Sequence, residues 1–303
     1  MPNPTGRIAL VVEGGAMRGI FAAGVLDVFL EHRFQPFDLA LGVSVGASNV
    51  LSYLAGQHGR TRRCFLRQMS RPEFIDPWRM VRGGHYLDLD WLWEAIERED
   101  PLDRFAAAAS GVEYALVATC AITGRPRYLS PGPDEMLDAI KASCAFPVLY
   151  RGPVRMRGEP FVDGGISDPL PLREAYRRGA RTIVVVRSRA AAFVKKTRVT
   201  HHLGAWVLRA TPGVSEACRN AARAYRDGAT FLRAPPPDCT LVHVAPQTAL
   251  ATSRTSRDAA SLERDYALGR ALGRQAIEQF ERVASKRGAG EPTQRSAATR
   301  AIA

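Results

Sequence analysis

Short apolar runs alternate with longer stretches of helical periodicity along most of this chain. The runs that read as strands are Ile8–Val12, Leu39–Val43, Tyr114–Ile122, Arg127–Leu129, Phe161–Val162, Thr182–Arg187 and Thr240–Val244. Helical patterns cover Gly19–Glu31, Val45–Gln57, Trp91–Arg98, Asp134–Ala142, Arg173–Arg178, Ala205–Phe231 and Ser261–Lys286, the sixth with a break at Pro212-Gly213. Several strands are apolar nearly throughout. Such runs are buried on both faces, which a mainly parallel sheet covered by helices on each side provides. Pro235-Pro236-Pro237 breaks the chain before the last strand. No linker is long enough to separate two domains, so residues 1–286 read as one. The segment Arg287–Ala303, rich in Gly, Ser, Thr, Ala and Arg, reads as a flexible tail.

Composition narrows the class. The 303 residues are 46% hydrophobic and 24% charged, enough for a full core and unlike a disordered chain. No stretch approaches the ~18–20 apolar residues that span a bilayer. Glu13 interrupts the first apolar run, so no secretory signal is read and a cytoplasmic location is expected. Cys64, Cys120, Cys144, Cys218 and Cys239 lack CxxC spacing, which argues against a disulfide framework and a zinc site. Asp88 and Asp90 alternate without further ligands, so neither metal nor cofactor is expected. The net charge of +12 suits an anionic membrane surface, an acidic ligand or nucleic acid. No long basic run or nucleic-acid motif is present, so a nucleic-acid role is not expected.

Three short constellations carry the chemistry. The first strand ends in Gly14-Gly15-Ala16-Met17-Arg18-Gly19 and flows into a helix. Glycines there bring backbone N–H groups close to a negative group, either a resident phosphate or an oxygen that becomes negative during a reaction. The second strand ends in Gly42-Val43-Ser44-Val45-Gly46, a G-x-S-x-G pattern at a strand-to-helix junction. A serine on such a turn exposes its hydroxyl, small neighbours relieve crowding, and the helix directs its positive end toward it. A glycine-rich connection with a serine cap is the plainer reading. The third is Asp163-Gly164-Gly165, followed by Asp168-Pro169, after a short apolar stretch; alone it reads as an Asx turn.

Taken together, in this order and each in its expected setting, these motifs resemble the patatin-like phospholipase family. Ala142–Tyr150, ASCAFPVLY, strengthens the likeness, which runs from about Ile8 to Val186. The resemblance implies a three-layer α/β/α fold with a mainly parallel central sheet. It also implies a serine acyl hydrolase acting on lipid or other acyl esters without a metal. Ser44 would be the nucleophile and Asp163 its base, with Gly14, Gly15 and Ala16 as an oxyanion hole. Arg18, Gly19, Gly42, Gly46, Gly164 and Gly165 would support them. The family's anion loop has a third glycine where this chain has Ala16. A right-handed backbone at Ala16 is expected to accommodate the methyl group.

Other readings compete. Gly14-x-Ala16-x-x-Gly19 is close to a dinucleotide fingerprint, but no acid stands at the far end of the second strand. His243 follows Asp163, so the chain order Ser…Asp…His of a Ser-His-Asp hydrolase exists, although too little chain precedes Ser44 for that fold. A patatin-like fold that binds lipid without turnover is a third. Phe193–Ala210 interleaves apolar and basic residues as a lid, a peripheral contact with anionic membrane, or an amphipathic helix packed on the sheet. Trp78, Trp91, Trp93 and Tyr86 would wall an acyl pocket or sit in the core. The oligomeric state stays open.

Overall fold

The computed structural model describes residues 6–193 and 211–289. Its centre is an eight-stranded sheet built from β1 (Arg7–Val12), β2 (Leu39–Val43), β3 (Glu113–Cys120), β4 (Pro126–Leu129), β5 (Val154–Met156), β6 (Glu159–Asp163), β7 (Ala180–Val186) and β8 (Thr240–Val244). The hydrogen-bonded path is β5-β6-β3-β2-β1-β7-β8, with β4 added to β3. The run β3-β2-β1-β7-β8 is parallel throughout. Strands β4, β5 and β6 make an antiparallel margin.

The helices are α1 (Ile20–Glu31), α2 (Val45–Leu54), α3 (Arg60–Arg67), α4 (Pro77–Val81), α5 (Leu89–Glu99), α6 (Arg104–Ala108), α7 (Met136–Cys144), α8 (Leu172–Arg177), α9 (Pro212–Arg233) and α10 (Ala259–Ala289). Alternation along the strands sorts them into two outer layers. Leu10, Val12, Ala40, Val184 and Val186 face α1, α2, α7 and α10. Ala9, Val11, Leu39, Leu41 and Val185 face α8 and the end of α9. Every residue of β2 and the last four of β1 are buried, which is why those runs show no polar alternation. This is the expected three-layer arrangement.

Helix α10 packs on α1, where the Tyr266 hydroxyl donates to the buried Asp27 carboxylate at 2.7 Å. It runs to Ala289, past the point where the tail was expected to begin, and residues 290–303 lie outside the described residues. Residues 194–210, most of the expected lid or membrane stretch, also lie outside them. Phe193, at its start, packs edge-on against Tyr225 with ring centroids 5.6 Å apart.

Candidate active site

Ser44 sits between β2 and α2 with φ 54° and ψ −132°, a conformation that few residues other than glycine adopt. Such a backbone costs about 1–3 kcal/mol and persists only where its surroundings hold it. Here they do. The Ser44 amide donates to Ser143 Oγ at 2.8 Å, and the Ser143 hydroxyl donates to the Val117 carbonyl at 2.6 Å. The first turn of α2 follows, with the Ala47 amide donating to the Ser44 carbonyl at 2.8 Å. A Cβ on Gly46 would stand 2.5 Å from the Val12 carbonyl oxygen, so only glycine lets α2 start this close to the end of β1. Gly42, one turn back, lies against the backbone of Ala47.

Sheet register brings Asp163 to the same spot. Val117 pairs with Val43 of β2 on one edge and with Tyr128 of β4 on the other. Ala118, the next residue, pairs with Arg127 of β4 and Asp163 of β6. Since β4 occupies one edge at both positions, β2 and β6 meet end to end on the other. The C-terminal ends of both strands therefore fall on consecutive rungs, with Ser44 leaving one and Asp163 closing the other. Asp163 is 4% exposed; its Oδ1 accepts from the Gly165 amide at 2.7 Å. Its main chain is pinned by Thr119 Oγ1, which donates to the Asp163 carbonyl at 2.8 Å, and by the Ala145 carbonyl, which accepts from its amide at 3.0 Å. Gly164 lies over the Val117 carbonyl.

The glycine loop closes the site from the β1 side. A Cβ on Gly14 would stand 2.8 Å from Ser44 Cβ, so the loop backbone lies directly against the serine. Gly15 is extended in φ (177°) and abuts Ser188 Oγ. Ala16 departs from expectation: its φ is +51°, left-handed rather than right-handed. With Gly14 wedged against Ser44 and Gly15 against Ser188, the reversal into the single helical turn Ala16–Gly19 falls on the alanine. Its methyl group costs about 1–2 kcal/mol there. Among the described residues, the amides of Gly14, Gly15 and Ala16 meet no protein acceptor. Gly19 contacts Val45, and its carbonyl accepts from Asn49 Nδ2 at 2.9 Å. Arg18 is half-buried behind the turn. Burial, then repulsion from Arg189 and Arg254, lowers its pKa to about 10, against the pull of Glu13.

An apolar cavity runs from this corner under α3 and α5. Ser44, Ala16 and Arg254 line one part of it; Phe65, Met69 and Trp93 are among its apolar walls. Of the aromatic residues expected there, Trp93 lines this cavity. Trp91 and Trp78 instead line an outer groove, and Trp78 is 72% exposed. Asp88 is taken up as the N-cap of α5 and by Arg79 at 2.9 Å, and Asp90 by Lys141 and the Tyr150 hydroxyl. Among the described residues no cluster of His, Cys, Asp and Glu is arranged for a metal.

Two neighbours of Ser44 were not assigned roles from sequence. Ser143 is one. The other is Cys144, which lines the same cavity as Ser44; desolvation first, then the Asp163 charge, pushes its thiol pKa well above the ordinary value. Both lie in ASCAFP, where only the family likeness signalled them. His243 is not brought in. It stands on β8 level with Val185, Val11 and Leu41, three strand spacings or roughly 14 Å sideways from β2. Burial and then Arg187 lower its pKa to about 4.

Comparison with known proteins settles the lineage. The patatin-like phospholipase family model matches residues 10–176, more than half of the chain. The chain belongs to the patatin-like phospholipase family. It is a lipid-ester hydrolase by that membership, and the dinucleotide reading falls with it. Residues 211–285 match a separate domain of unknown function. The uncharacterised protein YjjU of Escherichia coli (strain K12) is 38% identical over 277 residues, 90% of this chain and 78% of that protein. An uncharacterised NTE family protein of Mycobacterium bovis is 29% identical over 174 residues, 55% of this chain and 44% of that one. The crystal structure of VipD from Legionella pneumophila aligns with a TM-score of 0.41 at 14% identity, over 90% of this chain and 67% of that chain.

Proposed function

We propose that this patatin-like protein hydrolyses acyl esters of lipids through a Ser44–Asp163 dyad and an acyl-serine intermediate. The observation that carries the reading is the strained Ser44 backbone on a rung adjacent to Asp163. A serine hydroxyl is a poor nucleophile until its proton has an acceptor. As Ser44 Oγ attacks the ester carbonyl, Asp163 takes the proton, so that transfer accompanies attack. The carbonyl oxygen becomes negative and is received by the amides of Gly14–Ala16; one such donor is worth about 3–4 kcal/mol in the transition state. Asp163 then returns the proton to the leaving alcohol, and water repeats the cycle on the acyl-serine. The acyl chain lies in the apolar cavity that opens beside Ser44.

The protein works at a lipid surface in this reading, as a peripheral protein. The support is the pair Trp78 and Val81 on α4, 72% and 78% exposed, next to Ile75, which lines both the acyl cavity and the outer groove. Among the described residues no helix is long and apolar enough to cross a membrane.

The deciding experiment compares wild type, Ser44→Ala and Asp163→Asn on p-nitrophenyl butyrate, a lysophospholipid and a diacyl phospholipid, with fluorophosphonate labelling of each. Both variants are expected to fold and to lose turnover by about 10³-fold or more, and wild type but not Ser44→Ala to take the label. A wild type that resists labelling and turns over none of the esters refutes the dyad and leaves a lipid-binding fold.

A further inference from the structure

Three arginines gather around the glycine turn, and ester hydrolysis alone does not require them. Arg18 lies on the turn itself. Arg189 follows Ser188, whose hydroxyl donates to the Gly14 carbonyl at 2.9 Å and whose amide donates to Glu13 at 2.8 Å. Arg254 is tied in from the other side, since the Met17 amide donates to its carbonyl at 3.4 Å, and it lines the cavity with Ser44 and Ala16. Three separate segments of chain thus bring their arginines close enough to one corner that the charges repel one another.

The charges are unbalanced there. Several arginines elsewhere find carboxylates, as Arg63 does Asp100 at 2.7 Å and Arg178 does Glu174 at 2.7 Å. Among the described residues, Arg18, Arg189 and Arg254 have no carboxylate within 4.0 Å. Glu13, the acid that faces them, is buried and already holds the Ser188 amide and the Tyr225 hydroxyl. Among the described residues, buried Arg18 Nε has no hydrogen-bond partner. The guanidinium of Arg189 stacks over the Phe193 ring at 4.2 Å, and that of Arg254 lies 6.0 Å from the Phe146 ring. Such contacts steady the planar groups but do not neutralise them. Each cation is held near its like at a cost that an anion would relieve.

We propose that Arg18, Arg189 and Arg254 form a subsite for a phosphate group beside the scissile ester, with Arg189 and Arg254 setting the preference for phosphate-bearing ligands. A tetrahedral phosphate offers oxygens in several directions, which suits donors arriving from three segments better than the two coplanar oxygens of a carboxylate. Arg189 and Arg254 lie beyond the matched patatin-like segment, and Arg254 falls in the part matched by the domain of unknown function. That part then serves in substrate choice. The inference rests on the acyl-hydrolase reading for its substrate and on the arginine cluster for its ligand.

The test measures kcat/KM on lysophosphatidylglycerol and on monoacylglycerol of the same chain, in identical detergent micelles, for wild type, Arg189→Gln, Arg254→Gln and Arg254→Lys. Loss of one charge-assisted hydrogen bond, about 1.5–3 kcal/mol, should lower the phospholipid-to-glyceride ratio about tenfold or more in each Gln variant, chiefly through KM. Lys should restore part of it. Inorganic phosphate should raise the melting temperature of the Ser44→Ala protein, and this shift should shrink when Arg254→Gln is added. A thermal shift without any lipid preference assigns the subsite to free phosphate; both together assign it to the lipid. An unchanged ratio in both Gln variants with no phosphate-induced shift overturns the proposal. Absence of Ser44-dependent turnover on either lipid counts instead against the dyad, and the thermal shift still reads the subsite.

Discussion

Replacing Ser143 by alanine tests whether the strained Ser44 turn is held from outside itself. The Ser143 side chain is fully buried and bridges the Ser44 amide (2.8 Å) to the Val117 carbonyl (2.6 Å). Alanine leaves a buried donor and a buried acceptor without this partner, at about 1–3 kcal/mol each. The carbonyl has a second lone pair and loses less, so the sum is about 2–4 kcal/mol. That matches the strain of about 1–3 kcal/mol stored at Ser44, so the turn is free to relax once the bridge is gone. At roughly 2–4 °C per kcal/mol for a chain near this size, the melting temperature should fall by about 5–10 °C. Turnover should fall further than stability suggests. A displacement of the hydroxyl by about 1 Å costs on the order of a hundredfold in kcat, with KM changed little. Ser143→Cys, whose thiol reaches the same two groups with weaker bonds, should land between. Calorimetry and ester kinetics on the purified variants read both effects. A Ser143→Ala protein melting within 1 °C of wild type at full kcat would refute the bracing role.

The left-handed Ala16 makes Ala16→Gly a stabilising change: relief of about 1–2 kcal/mol exceeds the added entropy of the unfolded chain, for a net gain of about 0.5–1 kcal/mol. A lower denaturation midpoint would contradict that backbone assignment. His243, whose pKa falls to about 4 in the fold from 6.5, stays neutral while the unfolded chain takes up a proton. Stability should therefore be intact above pH 6.5 and decline by about 2–3 kcal/mol as pH drops toward 4. His243→Gln should flatten that part of a urea-unfolding pH profile, and an unaltered profile would remove His243 as the cause. For the lipid-surface reading, Trp78→Ala with Val81→Ser should reduce cosedimentation with anionic vesicles at low salt several-fold while sparing p-nitrophenyl butyrate hydrolysis; equal binding by the pair variant would move the contact elsewhere.

What the sequence disclosed depends on how local its cause was. Strands Leu39–Val43 and Thr240–Val244 were legible to the residue because apolar runs stop at Ser44 on one and Pro246 soon after the other. Helix Arg60–Arg67 was not legible. Its arginine-rich sequence has little apolar face, and it is placed by remote partners: Arg63 on Asp100, Arg62 on Glu263, and Arg60 on the Asp100 carbonyl at 2.9 Å. Helices Pro77–Val81 and Arg104–Ala108 and strand Val154–Met156 are too short to show a period. The strand expected over Tyr114–Ile122 ends at Cys120, where the chain turns and leaves Ile122 exposed.

The candidate site divides along the same line. Glycines and the turn serine are demanded by backbone that must bend or approach closely within a few residues, so they stand out as motifs. The partners that give those bends their use come from far along the chain. Strand β4 is the least conspicuous of these. By filling one edge of β3 at Val117 and Ala118, it leaves β2 and β6 only the other edge, so their ends must meet. The nearness of Ser44 and Asp163 is thus a consequence of sheet register before it is one of side-chain contact. A one-residue slip of β6 would turn the Asp163 side chain to the opposite face of the sheet. Thr119 guards against that slip, because its fully buried hydroxyl links the Asp163 carbonyl and Ser167 Oγ at 2.8 Å each. The placement of Ser44 beside Asp163 therefore depends on a threonine and a short edge strand that line no part of the apolar cavity.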